Sequence, residues 1–313
     1  ADPASAGRQM NSHFSTRLLN EDGTWRNQTN VKNTSSDIST TGGQMARLLG
    51  LAYASKLYKE NKELDYLKHF SANGDEVAFG TIGNASTSEG VFFEAFNAAG
   101  VLQVPMAISV WDDGYGISVP AKYQTTKEDI SEVLKGFQRG EGTNGYEIFK
   151  VRGWDYPGLC ETYLKAIEIC RTEHVPVLIH VTEVTQPQGH STSGSHERYK
   201  SKERLQWEKE HDCILKMREW MIESAIATDE EITALEEEAK KFVKEVQKEA
   251  WNEFLDTIKQ EQADVVRMVN NLANGDHQLS KIAAQLASTH DALRREVVSS
   301  VRKAIRLSVS KPS

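Results

Sequence analysis

Residues 76–120 read EVAFGTIGNASTSEGVFFEAFNAAGVLQVPMAISVWDDGYGISVP, and this stretch decides the fold. Residues 77–82 are a short apolar run with little alternation, the pattern of a strand buried on both faces. Gly83 and Asn84 break it. Ser86 and Glu89 have the spacing of a capping box, which predicts a helix from there to about Ala99, ended by Gly100. Residues 104–110 predict a second buried strand, with W-D-D-G-Y at 111–115 as the turn after it. Strand, helix, strand implies a parallel pair with a right-handed crossover.

That topology brings two loops together. Strands running in parallel end on the same edge of the sheet, where ligands of open α/β sheets bind. Asn84 follows one strand and Asp113 the other, 29 positions later. Backbone N–H groups at the helix start, residues 85–88, suit a phosphate. A carboxylate, an amide oxygen and a backbone carbonyl are hard oxygen ligands, suited to Mg²⁺ that already carries phosphate oxygens. Asn, Asp and Gly are also ordinary loop residues after strands, and that reading stays open here.

The stretch resembles the thiamine-diphosphate motif of the 2-oxo acid dehydrogenases, in the alpha subunit of the decarboxylating first component. The family pattern is G-D-G-x-x-S-E-G, then a helix, then N-N-x-Y. Here Gly83-Asn84-Ala85-Ser86-Thr87-Ser88-Glu89-Gly90 is followed by Asp112-Asp113-Gly114-Tyr115. Both metal positions depart from the pattern, and reciprocally: Asn84 replaces an acid and Asp113 an amide, so ligand charge is unchanged. The resemblance implies thiamine diphosphate and Mg²⁺ as cofactors. Gly83, Asn84, Ala85, Ser86, Asp113, Tyr115, Gly116 and His190 would contact them, with Asn84, Asp113 and the Tyr115 carbonyl at the metal.

The rest of the chain follows the same order. Residues 1–40 are polar and read as loop. Within them, Gly7-Arg8-Gln9-Met10-Asn11-Ser12-His13-Phe14 resembles the family's G-R-Q-M-P-x-H segment, which makes His13 a catalytic candidate beside its plainer reading as a loop histidine. In the family a further segment, with an aromatic-basic pair at the diphosphate, precedes it, so the amino-terminal domain is expected to be incomplete. Residues 45–58 predict an amphipathic helix, led by Gln44, which matches a family glutamine. A helix over 126–137, a turn at 140–145 and a strand over 147–151 follow. Asp155 reads as the N-cap of a helix to about Arg171, and 175–184 as the next buried strand.

The loop after that strand holds Gly189-His190-Ser191-Thr192-Ser193, which matches the family's G-H-S-x-S at every fixed position. The resemblance implies that His190 faces the cofactor and assists acyl transfer to the lipoyl group. Residues 201–225 read as helix, with Trp207, Ile214, Met217 and Met221 as apolar contacts. Residues 229–246 read as an exposed amphipathic helix. Helical character continues over 256–305, interrupted near 271–277, with no obvious core of its own. The expected domains are therefore a thiamine diphosphate and Mg²⁺-binding domain over 1–225 and a helical extension over 226–313, a linker toward a beta-type domain.

Composition excludes several classes. The chain has 313 residues, with 37 Lys and Arg against 45 Asp and Glu, a formal net charge of −8. That balance argues against general nucleic-acid or membrane-surface binding. The longest apolar run, near 101–111, is far short of the roughly 20 residues that span a bilayer. Cys160, Cys170 and Cys213 show no C-x-x-C spacing and read as buried thiols in a reducing cytoplasm.

The expected fold is α/β, a parallel sheet flanked by helices with a helical extension. The activity the resemblance implies is oxidative decarboxylation of a 2-oxo acid, pyruvate or branched-chain, with the acyl group passed to lipoyl-lysine of a second component. A beta-type pyrimidine-binding domain or subunit and the lipoyl-bearing acyltransferase are the implied partners, and self-association is expected. The isolated chain is expected to be inactive. Another thiamine enzyme, transketolase-like or acetoin-cleaving, and a non-catalytic helical protein with a decayed site are the alternatives.

Overall fold

The structure, a computed structural model, describes residues 16–35, 40–190 and 195–309. It divides into two compact units, with the boundary between Ile226 and Ala227. The first unit contains α1 (Gln44–Glu60), β1 (Ala78–Gly83), α2 (Gly90–Leu102), β2 (Met106–Trp111), a small hairpin of β3 (Tyr115–Gly116) and β4 (Val119–Pro120), α3 (Ile130–Val133), β5 (Glu147–Arg152), α4 (Tyr156–Glu173), β6 (Val177–Thr182), α5 (Lys202–Glu210) and α6 (Cys213–Glu223). Strands β1, β2, β6 and β5 form one parallel sheet in that order.

β2 and β6 are buried almost throughout, and the two-residue period sorts their side chains between two layers. Met106, Ile108, Val110 and Leu178 join Leu48 of α1 and Phe92 and Phe96 of α2 in one core. Ala107, Val177, Ile179 and Val181 join Ala166 and Cys170 of α4 in the other. Helices thus cover both faces of a parallel sheet, as expected from the sequence. The Tyr146 ring lies flat on Phe96, centroids 3.8 Å apart, and its hydroxyl donates to the Phe96 carbonyl at 2.8 Å.

Several local expectations are corrected. β1 is not buried on both faces. It lies at the end of the sheet among the described residues, with only Ile82 buried and Phe79 48 % exposed. The stretch from Ser86 to Glu89 forms no capping box: a 3₁₀ turn occupies Ala85–Ser88, and Glu89 caps α2 without a side-chain hydrogen bond. Glu89 instead accepts from Thr41 Oγ1 at 2.6 Å and from the Gly42 N–H at 3.1 Å, which fastens the loop ahead of α1. Gly100 does not end α2. It packs within 3.3 Å of the Tyr146 ring, counted from an added Cβ, and the helix closes at Gln103, where φ is 49°.

The helix expected over 126–137 is split. Lys127 and Glu128 take positive φ, and Asp129 then caps α3 by accepting from the Glu132 N–H at 3.0 Å. Asp212 caps α6 in the same way and divides 201–225 into two helices, with Ile214 71 % exposed and not an apolar contact. Of the three cysteines only Cys170 is buried, and its burial pushes the thiol up to about 12.

The second unit consists of α7 (Asp229–Ala273), α8 (His277–Ala287) and α9 (Arg294–Ser308). Thr228 and Glu231 form a true capping box at the start of α7. Asn274 and Gly275, both at positive φ, end it. Contrary to the sequence expectation, this unit has its own core. Val269, Ala273, Leu279, Ala283 and Ala304 form one cluster, and Ile258, Leu286 and Val297 another. No helix among the described residues is long and apolar enough to cross a membrane.

Candidate functional site

The site is built where β1 and β2 end. Their register sets Gly83 opposite Trp111, so Asn84 and Asp112 leave the sheet side by side. The Asn84 N–H donates back to the Trp111 carbonyl at 3.2 Å, and Asn84 is buried. Its carbonyl accepts from the Thr87 hydroxyl at 2.6 Å, which closes the 3₁₀ turn carrying Ala85 and Ser86. After β2, Asp112 accepts from the Gly114 N–H at 2.8 Å and Asp113 from the Tyr115 N–H at 3.0 Å. Gly114 has φ of 81°, which a side chain rarely tolerates. These turns aim the chain back across the sheet edge into the β3–β4 hairpin.

Gly116 shows how close the two loops come. A Cβ added there would lie 2.6 Å from the Ala85 Cβ, so only glycine fits. Ser88 ties the other side, its hydroxyl donating to the Gln124 carbonyl at 3.0 Å. Gly83, Asn84, Ala85, Ser86, Asp113, Tyr115 and Gly116 are therefore brought into one place. Beside Asp113 and Tyr115 opens a cleft of about 560 Å³, lined also by Lys122, Asp129, Lys150 and Arg204, and Asn84 and Gly116 are not among its lining residues. A larger cleft of about 900 Å³ lies along β1 and α1, lined also by residues 28–35, but it does not include Asn84 or Asp113.

Burial pushes the Asp113 carboxyl up, opposed by the Tyr115 N–H and by Lys200. A half-buried carboxylate of this kind gains from a cation placed against it. Among the described residues no group of three His, Cys, Asp or Glu side chains could hold a metal ion. A set of one carboxylate, one amide and one backbone carbonyl has no such group, and its chemistry fits a hard cation that brings other oxygen ligands.

Three features escaped the sequence reading. His180, fully buried in β6, hydrogen-bonds Asp112 Oδ2 through Nε2 at 2.9 Å and Ser131 Oγ through Nδ1 at 2.9 Å. It supports the turn ahead of Asp113 from beneath. A histidine inside the apolar run V-L-I-H-V-T was the available signal. Asp129 stands next to it. Burial pushes its carboxyl up, but hydrogen bonds from Lys150, Ser131 and the Glu132 N–H together hold it well below the usual carboxylate range.

The third feature is a clamp from α5 and the residue Lys200 just ahead of it. Lys200 and Glu208 form a buried pair at 2.7 Å, and Arg204 bonds the same carboxylate at 2.9 Å. Arg204 also donates to the Asp113 carbonyl at 2.8 Å. Both cations lie over the Tyr115 ring, at 5.3 and 5.6 Å. Because this pair is desolvated, removing Glu208 would leave the Lys200 ammonium buried without a counter-charge, at a cost of about 3–5 kcal/mol, whereas Glu208 without Lys200 would keep Arg204.

His190 is exposed, on the loop after β6, and its backbone hydrogen-bonds the Tyr199 hydroxyl. Tyr199 packs against Tyr115 at 5.6 Å between ring centroids. The His190 backbone is thus linked through one tyrosine to the Asp113 turn. His13 and Ser191 lie outside the described residues. Asp155 caps α4, accepting from the Gly158 N–H at 3.0 Å.

The model of the family described as dehydrogenase E1 component matches residues 8–259. The chain belongs to that family. It is 25 % identical over 204 residues to the alpha subunit of the pyruvate dehydrogenase E1 component of Rickettsia bellii, covering 65 % of this chain and 56 % of that one. It is 27 % identical over 252 residues to the alpha subunit of 2-oxoisovalerate dehydrogenase of Bacillus subtilis, covering 80 % and 66 %. The mitochondrial alpha subunit of 2-oxoisovalerate dehydrogenase of Dictyostelium discoideum is 30 % identical over 219 residues, covering 69 % and 41 %. The chain thus spans less than two thirds of the length of each of these relatives.

The Gly116–Ala85 contact gives a direct test. Gly116→Ala should force the two loops apart, lower the thermal midpoint by several degrees and weaken any ligand held between them. Adding Ala85→Gly removes the clashing methyl and should restore part of both losses. Thermal unfolding of the single and double variants measures this, and equal midpoints for Gly116→Ala and the parent chain would contradict the reading.

Proposed function

We propose that this chain is the diphosphate-binding part of a 2-oxo acid dehydrogenase, which decarboxylates a 2-oxo acid and passes the acyl group to lipoyl-lysine of a second component. The observation that carries the reading is the joined pair of loops, with Asn84 and Asp113 offering one amide and one carboxylate at the carboxyl edge of a parallel sheet. The relatives named above, alpha subunits acting on pyruvate or 2-oxoisovalerate, support the reaction class without choosing between the two acids.

In this reading Asp113, the Asn84 side-chain oxygen and the Tyr115 carbonyl hold Mg²⁺. Gly83, Ala85, Ser86 and Gly116 give the diphosphate a backbone-lined cradle, in which Gly116 lets the two loops close against each other. Bound there, thiamine diphosphate supplies the electron sink for decarboxylation, and Mg²⁺ neutralises its phosphates. The α5 clamp fixes the Asp113 carbonyl through Arg204 and so holds the metal turn before the ligand arrives. His190 stands on the loop that faces the bound cofactor and assists acyl transfer, with His13 placed beside the same site.

A beta-type domain or subunit completes the pyrimidine end, and the lipoyl-bearing acyltransferase receives the acyl group. The helical residues beyond 226 lead toward that beta-type domain, and the setting is cytoplasmic. Asp113→Ala should abolish Mg²⁺-dependent binding of thiamine diphosphate, followed by titration calorimetry with the beta-type partner present. Binding that persists undiminished would remove the assignment.

His190 has a separate test. In the complete enzyme, His190→Ala should slow acyl transfer to lipoamide more than decarboxylation followed with an artificial electron acceptor. Equal losses in the two assays would make His190 a structural residue.

A further inference from the structure

Two carboxylates follow one another after β2, and the register of the sheet brings the first of them, Asp112, beside Asn84. Asp112 and Asp113 line the same cleft. A cation site drawn from chain position alone would include Asp112. The hydrogen bonds separate the two. Asp112 has both carboxylate oxygens engaged: Oδ1 accepts from the Gly114 N–H at 2.8 Å, and Oδ2 faces His180 Nε2 at 2.9 Å. Asp113 has Oδ1 engaged, by the Tyr115 N–H at 3.0 Å, and among the described residues its Oδ2 has no hydrogen bond.

What holds the Asp112 side chain is a buried histidine. His180 lies in β6, in register between Val110 of β2 and Lys150 of β5, with its side chain 1 % exposed. An ionised carboxylate only accepts, so Nε2 carries the hydrogen in the bond to Asp112. Nδ1 bonds Ser131 Oγ at 2.9 Å, and Ser131 donates to Asp129 Oδ1 at 2.6 Å. Asp129 in turn caps α3 and pairs with Lys150. The ring is thus fixed through both nitrogens. The Asp112 backbone is fixed as well, its N–H on the Val181 carbonyl at 2.9 Å and its carbonyl on the Val184 N–H at 3.0 Å.

We propose that His180 is a positioning residue of the cation site: it holds Asp112 Oδ2, keeps that carboxylate from the cation, and so leaves Asp113 as the one charged ligand. This rests on the cofactor reading. A residue outside the site then sets the number of negative charges inside it, and with that number the choice of cation. Mg²⁺ keeps few protein ligands, whereas Ca²⁺ takes more oxygens and gains from a further carboxylate.

Titration calorimetry of thiamine diphosphate against the full chain and its beta-type partner, in Mg²⁺ and in Ca²⁺, tests it, with circular dichroism to confirm that each variant stays folded. His180→Leu frees Asp112 and should weaken Mg²⁺-supported binding by about tenfold or more. The ratio of Ca²⁺-supported to Mg²⁺-supported affinity should rise at the same time. Adding Asp112→Asn removes the freed charge and should return that ratio to the parent value, a rescue that a merely structural histidine would not show. Asp112→Asn alone should keep Mg²⁺-supported binding, where Asp113→Ala loses it. Its amide oxygen still accepts from Gly114, and the histidine meets the amide by changing tautomer. This variant leaves His180 in place, so it decides the matter even where His180→Leu fails to fold. A ratio unmoved by His180→Leu, or not restored by Asp112→Asn, overturns the proposal and leaves the cofactor reading standing. Loss of binding in Asp112→Asn overturns it as well, by making Asp112 a ligand. A parent chain that binds no thiamine diphosphate in either cation overturns the cofactor reading, and the proposal with it.

Discussion

Parallel pairing of β1 with β2 is the constraint on which the rest depends. It fixes two strand ends on one edge and sets Gly83 against Trp111, so both loops leave the sheet at the same height. Everything local then serves to keep them together. The Asn84 N–H reaches back to the Trp111 carbonyl, the side chains of Asp112 and Asp113 fold the second loop over, and Gly116 lies against Ala85. Neither loop has an apolar core of its own. Their positions are held by hydrogen bonds of the backbone and of the Asp112 and Asp113 side chains and by glycines, so a single methyl group at Gly116 is expected to disrupt them.

Support for this edge comes from two directions. From beneath, His180 is held between Asp112 and Ser131, inside an otherwise apolar strand. A fully buried histidine retains its place only when both ring nitrogens are satisfied, and here both are. From outside, Lys200 just ahead of α5 pairs with Glu208 of that helix, and Lys200 and Arg204 lie over the Tyr115 ring while Arg204 donates to the Asp113 carbonyl. The pair ties the residue ahead of α5 to the last turn of that helix, and Arg204 ties the helix to the Asp113 carbonyl. Tyr199, packed on Tyr115 and bonded to the His190 backbone, carries the same ordering to the next loop.

Much of this was legible in residues 76–120. Two apolar runs around a helix gave the parallel pair, and the glycines, Asn84 and Asp113 marked the loops after the strands. The exposed face of β1 was not legible, because an apolar run such as V-A-F-G-T-I does not say which of its faces finds a partner. The false capping box arose because Glu89 has a longer-range partner in the loop at Thr41, and local spacing cannot see that. The clamp was invisible for the same reason: Lys200 and Glu208 lie some 90 positions beyond Asp113, and charged residues on a helix usually face water. In the second unit periodicity located the helices but not their core, since small residues such as Ala273, Ala283 and Ala304 make much of it.

The cation site proposed for Asn84 and Asp113 requires one negative charge, which either loop could carry. The most direct measurement is titration calorimetry of thiamine diphosphate and Mg²⁺ against three forms of the chain, with the beta-type partner present. Asp113→Asn, which leaves two amides, should lose Mg²⁺-dependent binding. Adding Asn84→Asp to that variant, which moves the carboxylate to the other loop, should bring binding back to near the parent affinity. A double variant that binds no better than Asp113→Asn alone would contradict the claim.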